Sequence, residues 1–182
     1  LINETVTSST FDVTGPAQNS DIIEDGSFSY PTNVDYINFQ EATDITSGAT
    51  SLEVAGFTVR DGGSGTDGDI FPTVLTSIEF TITNETFIRR AALYGDLDDN
   101  GSYETELGEV TPSGNTLTFT GLTLTAPADG SIDFAIRASF TTSVTDNAQF
   151  SFQVLNTTFN PANSGFATSS AGAASSSTSG DN

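Results

Sequence analysis

Residues 131–140 read SIDFAIRASF, and this stretch decides the fold. Every second residue from Ile132 to Phe140 is apolar. Asp133 and Arg137 occupy positions between them. Because successive side chains of a β-strand point to opposite faces, this period of two predicts a strand with one buried face and one face toward water.

The same alternation recurs along the chain, and no apolar stripe of helical period continues for more than about a turn. Shifts of phase at Ala55-Gly56 and at Gly121 predict β-bulges. We therefore predict an all-β fold, an immunoglobulin-like antiparallel β-sandwich of about seven to nine strands with an N-terminal strand or arm. Further inward-facing residues are Val74, Ile78, Phe80 and Ile82, then Phe150, Phe152 and Val154.

Composition divides the chain into three parts. Residues 41–166 form the predicted sandwich core. Residues 1–40 combine a short apolar alternation with an acidic loop and are predicted to be an N-terminal strand and connecting arm. Residues 167–182 are rich in Ser, Gly and Ala, which is typical of a connector.

Charge and missing residue types exclude several classes of function. Four Arg oppose 24 Asp and Glu, so the net charge is −20, and the chain would repel nucleic acid and anionic membranes. Without Lys, His or Cys it lacks the residues for Schiff-base chemistry, imidazole catalysis, the common zinc sites and disulfides. No apolar run is long enough for membrane insertion. We predict an extracellular, non-catalytic protein whose natural counter-charges are divalent cations.

Residues 96–106 read DLDDNGSYETE, an acidic loop with oxygen donors at alternate positions. EF-hand loops use such a spacing, with a glycine at the sixth position and a later acid that closes the site. The twelfth-position Glu is missing and neither flank is helical in pattern, so we predict a calcium-binding hairpin loop and not an EF-hand. The alternative is a solvated acidic turn that needs no ion. Candidate calcium ligands are Asp96, Asp98, Asn100, Ser102, and Glu104 or Glu106, with Gly101 at the turn.

A second acidic, glycine-rich stretch follows the strand that ends near Arg60. Asp61, Asp67 and Asp69 would converge on an ion if the intervening glycines let the backbone fold tightly. A flexible surface loop without an ion explains the same composition, and the residues alone do not choose between the two.

Five sequence motifs together carry a resemblance to a known family. They are VRDGGSGTDGD (59–69), PTVLTSIEFTIT (72–83), IRRAALYGDLDDNG (88–101), LTFTGLTLTAPADGSIDFAIRASF (117–140) and SVTDNAQFSF (143–152). They resemble repeat modules of very large cell-surface adhesins of gliding and marine Bacteroidota. Those adhesins are exported by the type IX secretion system and include proteins similar to the gliding adhesin SprB. The resemblance implies tandem units at the cell surface and a role in adhesion or gliding motility.

The resemblance also implies how units join. Its repeats continue into a further strand, and the N-terminal residues here look like such a strand, which would complete the sandwich of a neighbouring unit. The insertion at residues 21–38 departs from the pattern and leaves this junction open. The predicted interface residues are Leu1, Ile2, Val6, Phe11 and Val13.

Three functions follow from these observations. The first is a structural or adhesive module that associates head to tail with identical subunits or tandem repeats into a calcium-stabilised filament. The second is a calcium-dependent carbohydrate-binding module for surface glycans. It needs an exposed aromatic ring, for which Tyr94 and Tyr103 are the candidates, or an ion with open coordination. The third is a hydrolase, which requires two facing carboxylates in a cleft. We favour the first.

Overall fold

The computed structural model describes residues 10–14, 19–24, 39–40, 45, 50–61, 71–145 and 148–160. Nine β-strands account for most of these residues, and a short 3-10 turn at Glu85–Phe87 precedes the fifth strand. The strands are β1 (Thr10–Thr14), β2 (Asn19–Glu24), β3 (Leu52–Asp61), β4 (Thr73–Ile82), β5 (Ile88–Asp96), β6 (Thr105–Val110), β7 (Thr116–Ala126), β8 (Ser131–Phe140) and β9 (Phe152–Phe159).

The strands form two antiparallel sheets. One sheet has six strands in the order β1-β2-β3-β8-β5-β6, and the other has three in the order β7-β4-β9. The predicted all-β sandwich is therefore confirmed. The part of the chain that the structure describes contains no helix long and apolar enough to cross a membrane.

Phenylalanine side chains fill the space between the sheets. Phe57 and Phe134 lie opposite each other on β3 and β8 with ring centroids 5.3 Å apart. Phe57 also meets Phe80 of the facing sheet at 5.4 Å, and Phe80 meets Phe119 at 6.4 Å. Each such ring removes a large apolar area from water, so these inward rows supply the main driving force for folding.

The seven strands β3 to β9 reproduce the central pairings of an immunoglobulin sandwich. Pairs β4·β7 and β5·β8, with β6 beside β5, correspond to its pairs B·E and C·F with C′ beside C. The first and last of these seven strands lie in the opposite sheets from their immunoglobulin counterparts, because β3 pairs with β8 and β9 pairs with β4. The hairpin β1–β2 then extends the larger sheet through β3.

Both predicted β-bulges are present. The register between β3 and β8 shifts between Glu53 and Ala55, next to Gly56. The register between β4 and β7 shifts opposite Gly121, whose φ is 70°. Glycine adopts a positive φ without steric cost, which explains why the second irregularity falls at this residue.

The structure describes part of the predicted N-terminal strand. Phe11 and Val13 lie in β1, which pairs with β2 of the same chain. Leu1, Ile2 and Val6 lie outside the described residues, as do residues 167–182 of the predicted connector. Within this one chain, the described N-terminal strands extend its own larger sheet.

The core contains a buried hydroxyl group, that of Thr157, whose removal should stabilise the fold. Thr157 of β9 is 1% exposed and lies across from Ile78, and its Oγ1 has no hydrogen-bond partner among the described residues. Because a buried unpaired hydroxyl costs about 1–3 kcal/mol, we expect Thr157→Val to raise the free energy of unfolding by about 1 kcal/mol. Chemical denaturation measures this change.

Thr158→Val is the matched control for this prediction. Thr158 is on the same strand in the outward phase and is half-buried, so its replacement should change stability by less than about 0.5 kcal/mol. A Thr157→Val variant less stable than the wild type would show that the hydroxyl is satisfied.

Candidate metal site

The acidic loop connects two neighbouring strands of the larger sheet. Strand β5 ends at Asp96, and β6 begins at Thr105 after a loop of eight residues. The loop reverses direction through two residues with positive φ, Asp99 at 56° and Gly101 at 84°. The Asp-Asn-Gly sequence favours this reversal, since Asp, Asn and Gly tolerate left-handed backbone better than other residues do.

Asp96 holds the loop in this conformation. Its Oδ1 accepts a hydrogen bond from the backbone N of Asn100 at 3.0 Å, and its Oδ2 accepts one from that of Gly101 at 2.7 Å. Burial alone would raise the pKa of Asp96, but these two hydrogen bonds, with the side chain of Asp98 and the backbone of Asp99, outweigh burial and lower the pKa. Asp96 is therefore an anion at neutral pH.

Two further carboxylates converge on Asp96. Oxygen atoms of Asp96, Asp98 and Glu104 all lie within 4.8 Å of one another, the first buried and the other two exposed. The side-chain amide of Asn100 donates to Asp98 Oδ2 at 3.0 Å and to Glu104 Oε1 at 3.1 Å. The amide hydrogens thus supply partial positive charge between two like-charged groups, where a cation would supply more.

The remaining predicted ligands have different positions. The backbone N of Ser102 donates to Asn100 Oδ1 at 2.9 Å, and its side chain is exposed. Glu106 is exposed on β6, opposite Tyr94, and is outside the three-carboxylate group. Of the two glutamates, Glu104, at the ninth position of the loop pattern, lies with Asp96 and Asp98.

The register of the sheet adds a carboxylate that the sequence did not assign to this site. Asp133 of β8 lies directly across from Asp96. Its Oδ1 accepts a hydrogen bond from the hydroxyl of Thr58. Opposed like charges on neighbouring strands repel, so Asp133 deepens the negative potential at this end of the sheet. Only the pairing of β5 with β8 could have revealed this, because 36 residues separate the two acids in sequence.

Asp61, of the second acidic stretch, joins three elements. It is buried at the end of β3, where Oδ1 accepts from the hydroxyl of Thr73 at 2.6 Å and Oδ2 accepts from the backbone N of Asp129 at 2.9 Å. Its own backbone N donates to Gly130. This arrangement ties β3 and β4 to the turn between β7 and β8. Asp67 and Asp69 lie outside the described residues, and the second calcium site stays a prediction.

Comparison with known proteins gives little beyond this geometry. No protein-family profile matches the chain, and no curated protein matches it. Among solved structures, the chain is similar to a protein described as "Carbohydrate binding module family29", with 12% sequence identity and a TM-score of 0.27. The similarity covers 74% of this chain and 85% of that one. A TM-score this low does not relate the two folds.

Two neighbouring glutamates provide a matched test of the loop geometry. Glu104→Gln removes one of the three converging charges, whereas Glu106→Gln removes an equally exposed charge two residues away. If the loop binds calcium, we expect Glu104→Gln to weaken binding by about tenfold or more and Glu106→Gln to change it little. Isothermal titration calorimetry measures both affinities. The reverse order would show that Glu106 closes the site.

Proposed function

We propose that this chain is an extracellular, non-catalytic structural and adhesive module of the bacterial cell surface. In this proposal its β5–β6 loop binds calcium and its copies join, as separate subunits or tandem repeats, into a surface filament. The observation that carries the proposal is the convergence of Asp96, Asp98 and Glu104 on a chain of net charge −20. Asn100 completes a set of oxygen donors of the kind that hard cations prefer.

Repulsion among the carboxylates of this loop favours the binding of a cation. The oxygen atoms of three carboxylates lie within 4.8 Å of one another, and like charges repel when all three groups are ionised. A divalent ion replaces this repulsion with attraction and removes two units of the net charge that opposes compaction. Because Asp96 is anchored at the end of β5, the ion would fix the loop to the sheet.

The donor set favours calcium over other ions. All its side-chain donors are oxygens, and the chain has no Cys or His for softer metals. Calcium takes six to eight oxygen ligands in flexible geometry, so carboxylates, a side-chain amide, a backbone carbonyl and water can share its coordination. Magnesium demands a stricter octahedron and retains its water more strongly.

Calcium should therefore stabilise the fold. At a free concentration about 100-fold above the Kd, binding adds about 2.7 kcal/mol. For a chain of this size that corresponds to a rise in Tm of roughly 5–10 °C. Differential scanning calorimetry in calcium, in magnesium and in chelator measures the effect, with the smallest response expected from magnesium. A melting transition unchanged by calcium would remove the ion from the proposed function.

The edges of the smaller sheet support association with other copies. Strand β7 has eleven residues and β9 has eight, both are edge strands, and neither contains a charged residue. Protected edges usually carry charges or proline, so long uncharged edges are suited to pairing with a strand of another unit. The resemblance to tandem repeat modules of Bacteroidota surface adhesins supports the same conclusion.

The tyrosine candidates do not favour the carbohydrate-binding alternative. Tyr94 is 5% exposed, and the guanidinium of Arg137 lies 5.2 Å from the centre of its ring. Tyr103 is half-buried against the apolar cluster around Tyr94. Neither ring forms an open platform for a sugar. A carbohydrate-binding module of this fold would therefore have to bind its glycan through a calcium ion with an open coordination position.

Assembly is tested directly by electron microscopy of the purified chain and of covalent tandem copies in calcium. We expect elongated particles of regular repeat that lose their straightness in chelator, because the ion stiffens each unit. Isolated globules at high concentration, together with independent, freely jointed units in the tandem protein, would contradict the filament. Tight calcium-dependent signals on a glycan array would favour the carbohydrate-binding function in its place.

A further inference from the structure

Asn100 and Gly101 form the only Asn-Gly pair of the chain, and both residues are exposed in the acidic loop. An asparagine side chain can react with the backbone nitrogen of the next residue when that nitrogen reaches its amide carbon. A glycine in the next position favours this reaction because it has no Cβ to hinder the approach. Gly101 has a φ of 84°, and apart from its chain neighbours no atom lies within 4 Å of the place where a Cβ would be. The space around the reacting nitrogen is therefore open.

The side chain of Asn100 is folded over the backbone that follows it. Its Oδ1 accepts a hydrogen bond from the backbone N of Ser102 at 2.9 Å. This contact keeps the amide group beside the Asn100–Gly101 peptide bond, and it withdraws electrons from the amide carbon. The amide carbon is therefore held near the attacking nitrogen and is polarised toward attack.

The backbone nitrogen of Gly101 points at a carboxylate. Its N–H donates to Asp96 Oδ2 at 2.7 Å, and Asp96 is fixed at the end of β5. A carboxylate that accepts this hydrogen bond increases the electron density on the nitrogen and is placed to receive its proton. The loop thus brings together an attacking nitrogen, an acceptor for its proton and a polarised amide carbon.

We propose that Asn100 is a modification site, at which the folded chain deamidates without an enzyme. A bond forms between Gly101 N and Asn100 Cγ, and the Gly101 N–H proton leaves along its hydrogen bond to Asp96. The bond between Cγ and Nδ2 breaks, and the amide nitrogen takes a proton from solvent and departs as ammonia. Water then opens the resulting cyclic imide at either carbonyl, which gives aspartate or isoaspartate at position 100. Water is the only other reactant.

Both products change the centre of the acidic loop. The Asn100 amide donates to Asp98 and to Glu104, so its conversion to a carboxylate replaces both donors by a further negative charge. Isoaspartate also routes the main chain through an additional carbon, which moves apart the two N–H groups that hold Asp96. Deamidation therefore loosens the loop. The reaction requires no ion and no second copy of the chain.

Peptide mapping of the folded chain provides a test with an internal control. Because the chain has four Arg and no Lys, cleavage after Arg90 and Arg137 releases residues 91–137 as one peptide, which contains Asn100 and Asn115. Asn115 is also exposed and lies in a turn, but a threonine follows it. The protein is incubated at neutral pH in chelator, below its melting transition. Fragmentation mass spectrometry of this peptide then locates each change from amide to acid, relative to a sample taken at the start.

We expect Asn100 to convert about tenfold or more faster than Asn115, because it precedes a glycine and its amide carbon is held beside the next nitrogen. Equal rates at the two positions would overturn the inference. An Asn100 that stays intact in the folded chain and converts only after unfolding in urea would also overturn it, because the folded loop would then protect the amide.

Two variants identify the reacting group and the products. Asn100→Gln keeps an amide but requires a larger ring, so conversion at position 100 should fall to the level of Asn115. Asn100→Asp supplies a reference peptide for one product, and the isoaspartate form should elute separately with the same mass. Unchanged conversion at position 100 in Asn100→Gln, or the absence of any product that elutes with the reference peptide, would reject the proposed reaction.

Discussion

The two hydrogen bonds that the backbone N–H groups of Asn100 and Gly101 donate to Asp96 organise the acidic loop between β5 and β6. They fold the acidic loop back on the strand that carries it, and they hold Asp96 ionised inside a largely buried setting. The same fold brings Asp98 and Glu104 toward Asp96. The carboxylate that shapes the turn thereby belongs to a concentration of negative charge, which the side-chain amide of Asn100 balances in part.

Most of the fold could be predicted from the sequence, because alternation reports directly which face of each strand is buried. SIDFAIRASF became β8, and the phase shifts at Gly56 and Gly121 became bulges. The places of the first and last strands of the sandwich could not be predicted. Either sheet buries one face of such a strand, so β3 and β9 carry no local signal that tells which partner they pair with.

The sequence placed Asp96, Asp98 and Glu104 in one acidic loop, and the structure brings their carboxylates together, whereas Glu106 lies outside this group. Alternate spacing permits either glutamate, so the convergence of Glu104 depends on the path of the turn, which contains two residues with positive φ. The contact of Ile45 with the outer face of the larger sheet had a sequence signal that went unused, since Ala92, Tyr94 and Ala135 place apolar residues in the outward phase of their strands. Apolar residues on both faces of a strand indicate that both faces are covered.

The acidic loop and the small apolar cluster of Ile45, Ala92 and Tyr94 are neighbours in the structure. Tyr103 lies between two candidate calcium ligands and packs against this cluster. In the proposed module, an ion in the loop would therefore also stabilise the packing of Tyr103 on the larger sheet.

A crystal structure determined from crystals grown in calcium, with anomalous diffraction to identify the ion, tests the central claim most directly. The account predicts a calcium ion about 2.3–2.6 Å from oxygen atoms of Asp96, Asp98 and Glu104. A well-ordered loop that contains no ion at millimolar calcium would contradict it.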